Sequence, residues 1–249
     1  PALTNGSILY VQSQGSRVRE LAYNWQTNAY ASIDLSIMAP HLFNGHTVVD
    51  MAYARAPVPA LWAVRSDGAL LGMTYVPEQQ VYGWHHHVTA GFLESAAVVS
   101  EGLEDALYVL VRRTVNGRSV RYTERMGSTT FTAQEDAFYV DSGLTYDGTP
   151  VTTLSGLHHL EGEAVQVLAD GAEVTGKVVV GGQITLDEAA SVVHVGLGYS
   201  SDLMTLPLAF EAAPAGGQGL TKNVSGVALR VTPSSLVQAG PRFDRLTEY

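Results

Sequence analysis

Few residues in this chain have the means to do chemistry. His85-His86-His87 is the first group. On a strand it would turn two rings to one face and one to the other, with about 7 Å between the like-facing pair from the rise per residue. That is wide for a shared ion without a third ligand, although exposed pairs take up zinc or nickel, and a polar rim beside Trp84 is the simpler reading. His158-His159, with Glu161 and Glu163 nearby, meets the same objection and reads as a solvated turn. Asp141, Asp147 and Asp170 have the side chains for acid-base hydrolysis, but each stands next to Gly or in a turn signature, which explains it without a raised pKa. Trp62, Trp84, Tyr75 and Tyr108 have rings that stack sugars or bases, yet aromatics at matching places in successive repeats are packing residues first.

The remaining motifs are absent. No nucleophile elbow, no glycine-rich phosphate loop before a helix and no helix with two His at i, i+4 can be found, and Gly181-Gly182 and Gly216-Gly217 lack the Lys and helix of a phosphate loop. The chain has no cysteine, so disulfides, thiolate metal sites and thiol nucleophiles are excluded. No catalytic, cofactor-binding or metal-ligating residue is nominated.

Any site must be positioned by the elements around residues 61–88. Asp67-Gly68 lies between two runs that suit strands, and Asp-Gly marks a tight hairpin because Gly takes the positive φ of a primed turn. Val76-Pro77-Glu78-Gln79-Gln80 supplies a second turn, and residues 81–88 return as a third strand. This meander recurs. Residues 7–30 read as a degraded copy, with Ile8-Leu9-Tyr10-Val11 matching Ala60-Leu61-Trp62-Ala63 and the turn Ser13-Gln14-Gly15-Ser16 replacing Ser66-Asp67-Gly68. Residues 28–38 serve as a helical or irregular link, and residues 47–53 form a leading strand that Pro57 and Pro59 end. In the third copy residues 95–100 lead, residues 101–105 turn, residues 106–113 match 60–65, and Asn116-Gly117 stands for Asp67-Gly68. Aligned on Tyr10, Trp62 and Tyr108, the copies start about 52 and about 46 residues apart, the spacing of four-stranded propeller blades. The first copy has too few residues before Ile8 for a leading strand, so the chain is expected to begin inside a blade and to be a piece of a longer protein. Three blades cannot close a ring, and something else must cover the open side.

From Gly127 the character changes. Short β-branched runs at 151–154, 164–168, 177–180, 183–186 and 192–197, with Asp170-Gly171 and Gly181-Gly182 between them, predict a small sandwich or barrel. Its core is expected from Val165, Val167, Val179, Ile184, Leu186, Val193 and Val195. Residues 212–219 are a small-residue link, and residues 223–232 alternate as a strand. The predicted class is all-β: partial propeller blades over residues 1–126, an inserted or appended small β-sandwich or barrel over 127–210, and a linker with returning strands of a larger β fold over 211–249.

The net charge of −10 over 249 residues argues against a surface that grips phosphates. Arg112, Arg113, Arg118, Arg121 and Arg125 gather the basic charge, and alternating on a strand they read as solvated edges that discourage aggregation. No apolar run approaches the roughly 20 residues that span a bilayer, residues 1–10 lack a signal-peptide layout, and no membrane partner is expected.

Leu61-Trp62-Ala63-Val64-Arg65-Ser66-Asp67-Gly68-Ala69-Leu70-Leu71 with Thr74-Tyr75, Gln80-Val81-Tyr82-Gly83-Trp84 and His87, then Tyr139-Val140-Asp141-Ser142-Gly143-Leu144-Thr145-Tyr146, His159-Leu160-Glu161-Gly162-Glu163 and Val167-Leu168-Ala169-Asp170-Gly171, resemble a family of bacteriophage and prophage tail proteins, the nozzle or tail-tubular B type of short-tailed phages. The resemblance extends over residues 7–231. It implies an irregular propeller interrupted by β domains, located in the virion tail and assembled as a ring, commonly of six copies, with neighbouring tail and adaptor proteins around the DNA-ejection channel. It also implies no enzymatic activity, no cofactor and no tight DNA binding. An acidic lumen would let the duplex slide, and Glu94, Glu101, Glu104 and Asp105, clustered in what reads as a loop, are expected to face it. The alternative is a host-surface glycan-recognition module of a phage tail.

Overall fold

The structure, a computed structural model, describes residues 1–4, 6–14, 16–206, 221, 223–224, 226–230 and 237–248. The chain divides into two compact units, Pro1–Tyr199 and Ser200–Tyr249. Among the described residues all sheets are antiparallel, and the only helical segments are short 3-10 turns. None of the described helices is long and apolar enough to cross a membrane.

Three successive meanders make up the first half. Sheet 1 runs β1 (Ala2–Leu3), β2 (Ser7–Val11), β3 (Val18–Asn24), β4 (Ala29–Asp34). Sheet 2 runs β5 (Val48–Ala54), β6 (Ala60–Arg65), β7 (Leu70–Val76), β8 (Val81–His87). Sheet 3 holds β9 (Phe92–Glu101), β10 (Glu104–Val115) and β11 (Arg118–Arg125). The turns behave as their residues dictate. Gly68 takes φ +84°, and Asn116 and Gly117 take +49° and +72°, the paired positive values of a type I′ hairpin.

Two expectations for the first copy fail. A leading strand exists: β1 pairs with β2 through Ala2 opposite Leu9 and Leu3 opposite Ile8. Two residues are enough because a strand added to a sheet edge needs only partners, not length. Residues 29–34 are also not a link but β4, paired along its length with β3, and the irregular stretch begins after Asp34. Gly15 of the expected turn lies outside the described residues.

The sheets stack in chain order. Leu9, Val18 and Ala2 of sheet 1 pack with Leu35, Leu42 and Phe43 of the connecting segment against one face of sheet 2, carried by Leu61, Ala63, Leu71, Met73 and Tyr75. The opposite face of sheet 2, through Val64, Leu70 and Trp62, packs on Leu93, Ala96, Leu107 and Val111 of sheet 3. Sheet 2 is thus apolar on both faces, which is why β7 reads as a nearly unbroken buried run. Of the leading strands, β5 neighbours both β1 and β9 across the sheets.

Period-two geometry tests the alignment of the copies. Trp62 and Tyr108 both point away from the preceding sheet, since Leu61 faces sheet 1 and Leu107 faces sheet 2. Tyr10 does not match them: Leu9 faces sheet 2, so Leu9, not Tyr10, takes the place of Trp62. The register agrees, with Leu9 opposite Glu20 as Trp62 is opposite Gly72. A one-residue slip in the alignment exchanges the two faces of a strand.

After β11 come β12 (Asp141–Ser155), β13 (Ala164–Ala169), β14 (Ala172–Val178) and β15 (Gln183–Leu197), in the order β12-β15-β13-β14. All seven predicted core residues are buried, together with Leu154, Leu157 and Leu160. The runs at 183–186 and 192–197 are not two strands. They join into β15, which pairs with the equally long β12 through register shifts around Val151. The polar Asp187-Glu188 between them suggests a loop, but it occupies an irregular stretch of pairing rather than a break. The result is one four-stranded sheet with two bent strands.

In Ser200–Tyr249 the described pairing is β16 (Gln238–Ala239) with β17 (Thr247–Glu248). Of the strand expected over 223–232, Ser225, Val231 and Thr232 lie outside the described residues, and Val224, Val227 and Leu229 are exposed and belong to no strand. Alternation alone does not make a strand without a partner edge. The expected link at 212–219 also lies outside the described residues.

Candidate functional site

The three acids considered for hydrolysis do not meet at one place: Asp147 and Asp170 both lie beside Val192, and Asp141 lies apart from them. Asp170 follows β13 at φ +46°, and its carboxylate accepts the backbone N–H groups of Ser191 (3.0 Å) and Val192 (2.8 Å), tying the β13–β14 turn to β15. Asp147 is exposed opposite Val192. Asp141 sits at the other end of β12, opposite Leu197, where burial raises its pKa above the usual carboxylate value, against the opposing influence of Thr89 and Arg113. Six residues of strand separate it from Asp147, well beyond the separation of paired glycosidase carboxylates.

The second histidine group is structural. His159 Nε2 donates to the Ser142 carbonyl at 2.8 Å. The Glu161 carboxylate accepts the backbone N–H groups of Gly181 (2.8 Å) and Gly182 (2.6 Å), so it clamps the Gly-Gly turn rather than waiting for a metal. A residue that the sequence did not single out does similar work: buried His194 uses Nδ1 with Thr145 and Nε2 with the Glu135 carbonyl, pinning residues 134–136 to the sheet. A cavity of about 370 Å³ between sheet 3 and the small sheet is lined by Phe92, Arg112, Arg113, His159 and Glu163, and its two arginines are already paired, with Glu94 and Glu124.

His85, His86 and His87 lie on β8 as expected, but beside a different tryptophan. His86 stands opposite Leu71, on the sheet 1 side, whereas His85 and His87 share the other face with Trp62, their ring centres 5.8 and 5.6 Å from the indole. The rings keep surface in water, yet crowding by neighbouring atoms lowers both pKa values, that of His87 to about 4, with repulsion from the adjacent histidines adding to the loss of hydration. Gly72 lies directly beneath: a Cβ there would overlap His85 Nε2 and meet Trp62.

The proposed stacking platforms divide. Trp84 meets Phe43 edge-on at 4.9 Å and donates its indole N–H to the Leu35 carbonyl at 2.8 Å. Tyr75 is buried, its hydroxyl donating to Glu20 at 2.6 Å; burial, then the Glu20 carboxylate, push its pKa well above the usual phenol value. Tyr75 ties sheet 1 to sheet 2, and Trp84 ties the connecting segment to sheet 2. Tyr108 lies on the outward face of sheet 3, hydrogen-bonded to Glu101.

The acidic group expected at a lumen is spread over strands and is neutralised. Glu94, in β9, binds Arg112 and Arg121. Arg125 reaches both Glu101 and Glu104, and Asp105 pairs with Arg55. These acids clustered in sequence because β9 and β10 are joined there, and opposite strands carry their arginines. Arg113, expected at a solvated edge, is buried against Glu124, with Nη2 to Oε2 at 2.6 Å.

An open side was expected, but not the residues that form it: the outward face of sheet 1. It exposes Leu3 (74%), Ile8 (38%), Tyr23 (53%) and Tyr30 (71%), the two tyrosines meeting edge-on at 5.4 Å, and Trp25 projects beyond them. Apolar residues at both alternating positions of β2, Ile8 and Tyr10 as well as Leu9 and Val11, are the sequence signal for a strand with two apolar faces. Among the described residues no group of three or more histidines and acidic side chains is arranged to hold a metal ion. Compared with known proteins, the chain matches no family model and no curated protein sequence.

Proposed function

We propose that the chain is a non-enzymatic structural part of a phage or prophage tail, a portion of the nozzle or tube that lines or supports the DNA-ejection channel. The observation that carries this reading is the stacking of three antiparallel meanders in chain order with successive leading strands adjacent. Blades of a propeller have that relation, and the two-sided core of sheet 2 is what an interior blade requires. The equivalence of Trp62 and Tyr108, with Leu9 as the third member, supports a repeated unit. The bare face of sheet 1 supports an assembly in which another sheet, from this protein or a neighbouring copy, continues the stack. Further copies in a ring and adjoining tail or adaptor proteins are the partners in this reading. Repulsion of DNA rests on the net charge of −10, not on Glu94, Glu101, Glu104 and Asp105, whose charges are matched.

Electron microscopy of the full-length protein tests it. Closed rings, six-fold in the simplest case, are expected; single discs at every concentration overturn it. The second reading, glycan recognition by the tail, is favoured by the exposed rings of Tyr23, Trp25 and Tyr30. Glycan-array binding that disappears in Trp25→Ala would favour it over the first. Trp84→Ala would not test it, because that ring packs on Phe43 of the connecting segment.

A further inference from the structure

We propose that His85 and His87 form a two-imidazole binding site for a late divalent transition-metal ion, copper(II) foremost. Their ring centres lie 5.0 Å apart. Two imidazoles bound through nitrogen to one ion at about 2.0–2.1 Å have ring centres roughly 4.5–5.5 Å apart, depending on the angle at the metal. The i, i+2 spacing on β8 gives the shared face, and the side chains close the gap that the backbone rise alone would leave.

The surroundings favour this pair. β8 is the last strand of sheet 2, so both rings reach water from an edge where an ion can enter. Trp62 touches both rings and limits their rotation, as outer-shell partners of metal-binding histidines do. The Nε2 edge of His85 is packed into the space over Gly72 that any Cβ would fill, so Nδ1 is the nitrogen of that ring assigned to the ion. His86 faces the other way, opposite Leu71, and takes no part. Neutral imidazole is the binding form. With two protein ligands the remaining positions go to water. Nitrogen donors and an open coordination sphere place copper(II) above nickel(II) and zinc(II) in affinity, and make the ion exchangeable.

Trp62 provides the readout, since bound copper(II) quenches an indole within a few ångströms. Titrating copper(II) chloride into the chelator-stripped chain at neutral pH should quench tryptophan fluorescence with a one-to-one endpoint, and electron paramagnetic resonance of the complex should show coupling to two nitrogens. His85→Asn and His87→Asn should each weaken binding at least tenfold, while His86→Asn should not. Trp62→Phe should lose most of the quenching but keep the two-nitrogen spectrum, which separates binding from its reporter. Circular dichroism of each variant confirms that it folds. A one-to-one endpoint and two-nitrogen spectrum that persist when His85 and His87 are both asparagine would assign the copper to another site and overturn the proposal, as would no binding by the parent chain.

Discussion

Sheet 1 turns Leu3, Ile8, Tyr23 and Tyr30 outward, whereas sheet 3 covers its outward surface with Arg112 and Arg121 around Glu94 and with Arg125 between Glu101 and Glu104. Both sheets stand at an end of the same three-layer stack, and both bury their other face against sheet 2. Charge-matched side chains finish a sheet for contact with water; an apolar face is suited to receiving another layer. In the proposed tail assembly the stack therefore extends from sheet 1, and the small β sheet follows sheet 3 in the chain.

The sharpest test compares deletions on covered and bare faces. Leu61 has no exposed surface, and Leu61→Ala should cost about 3 kcal/mol, within the 2–5 kcal/mol range for emptied core positions. Leu3→Ala, at a residue 74% exposed, should stay within about 0.5 kcal/mol in a dilute sample. Urea unfolding of both variants measures the difference. If the two cost the same, the face of sheet 1 is already covered in solution.

A similar loss is expected from the inward face of sheet 3. Arg113 is the one arginine of sheet 3 whose side chain is almost fully buried, and it also donates to Thr89 and to the Ala90 carbonyl. Arg113→Met should cost about 3 kcal/mol, because it leaves Glu124 partly buried without its counterion. If Arg113→Met together with Glu124→Leu recovers most of the loss, the cost lies in the orphaned carboxylate rather than in the missing arginine stem. On the bare face, Ile8→Lys with Tyr30→Lys should leave monomer stability nearly unchanged but reduce self-association in sedimentation and the binding of an apolar dye.

How much of this contrast could be read from the sequence depends on where the signal was local. Hairpins were legible at Asp67-Gly68, Asn116-Gly117 and Asp170-Gly171, because positive φ restricts which residues fit. The seven core residues of the small sheet were legible because each short run keeps its own alternation, even though the buried phase changes within β15 between Leu186 and Val193. The phase of the first copy was not, since both Leu9 and Tyr10 suit a buried place and only the packing partner decides between them. Arg113 was misjudged for the same reason: its counterion is eleven residues away across a hairpin. The His85–His87 pair was placed on the right strand, but the partner ring Trp62 came from β6, which spacing within one strand does not reveal.

Asp105 gives a pH test of the junction between sheets 2 and 3. Its carboxylate accepts hydrogen bonds from the Ser100 hydroxyl and from the Arg55 backbone N–H, with Arg55 Nε at 3.3 Å, and these hold its pKa at about 2 against an ordinary 3.8. A carboxylate depressed on folding stabilises the fold fully above its unfolded pKa and loses that contribution as pH falls through the folded one. Stability should therefore decline between about pH 4 and pH 2, and Asp105→Asn should flatten that part of the profile while lowering stability at neutral pH.

The smallest effect carries a distinctive sign. Glu94 sits between Arg112 Nε at 3.0 Å and Arg121 Nε at 2.6 Å, and the two arginines face each other directly across β10 and β11. Exposed pairs of this kind contribute little, and salt screens them. Glu94→Gln should lower the urea midpoint slightly at low salt, because it removes the one carboxylate between two arginines and leaves two opposed like charges on neighbouring strands. Arg112 is also held over the Phe92 ring at 4.7 Å, so it cannot simply swing away from Arg121. Added salt weakens the attraction in the parent chain and weakens the repulsion in the variant. The stability gap should therefore close as salt rises to about 1 M, where the screening length is about 3 Å. A gap that does not change with salt would mean that Glu94 acts by packing alone, and the charge-finished description of sheet 3 would then rest on Arg125 and its two glutamates.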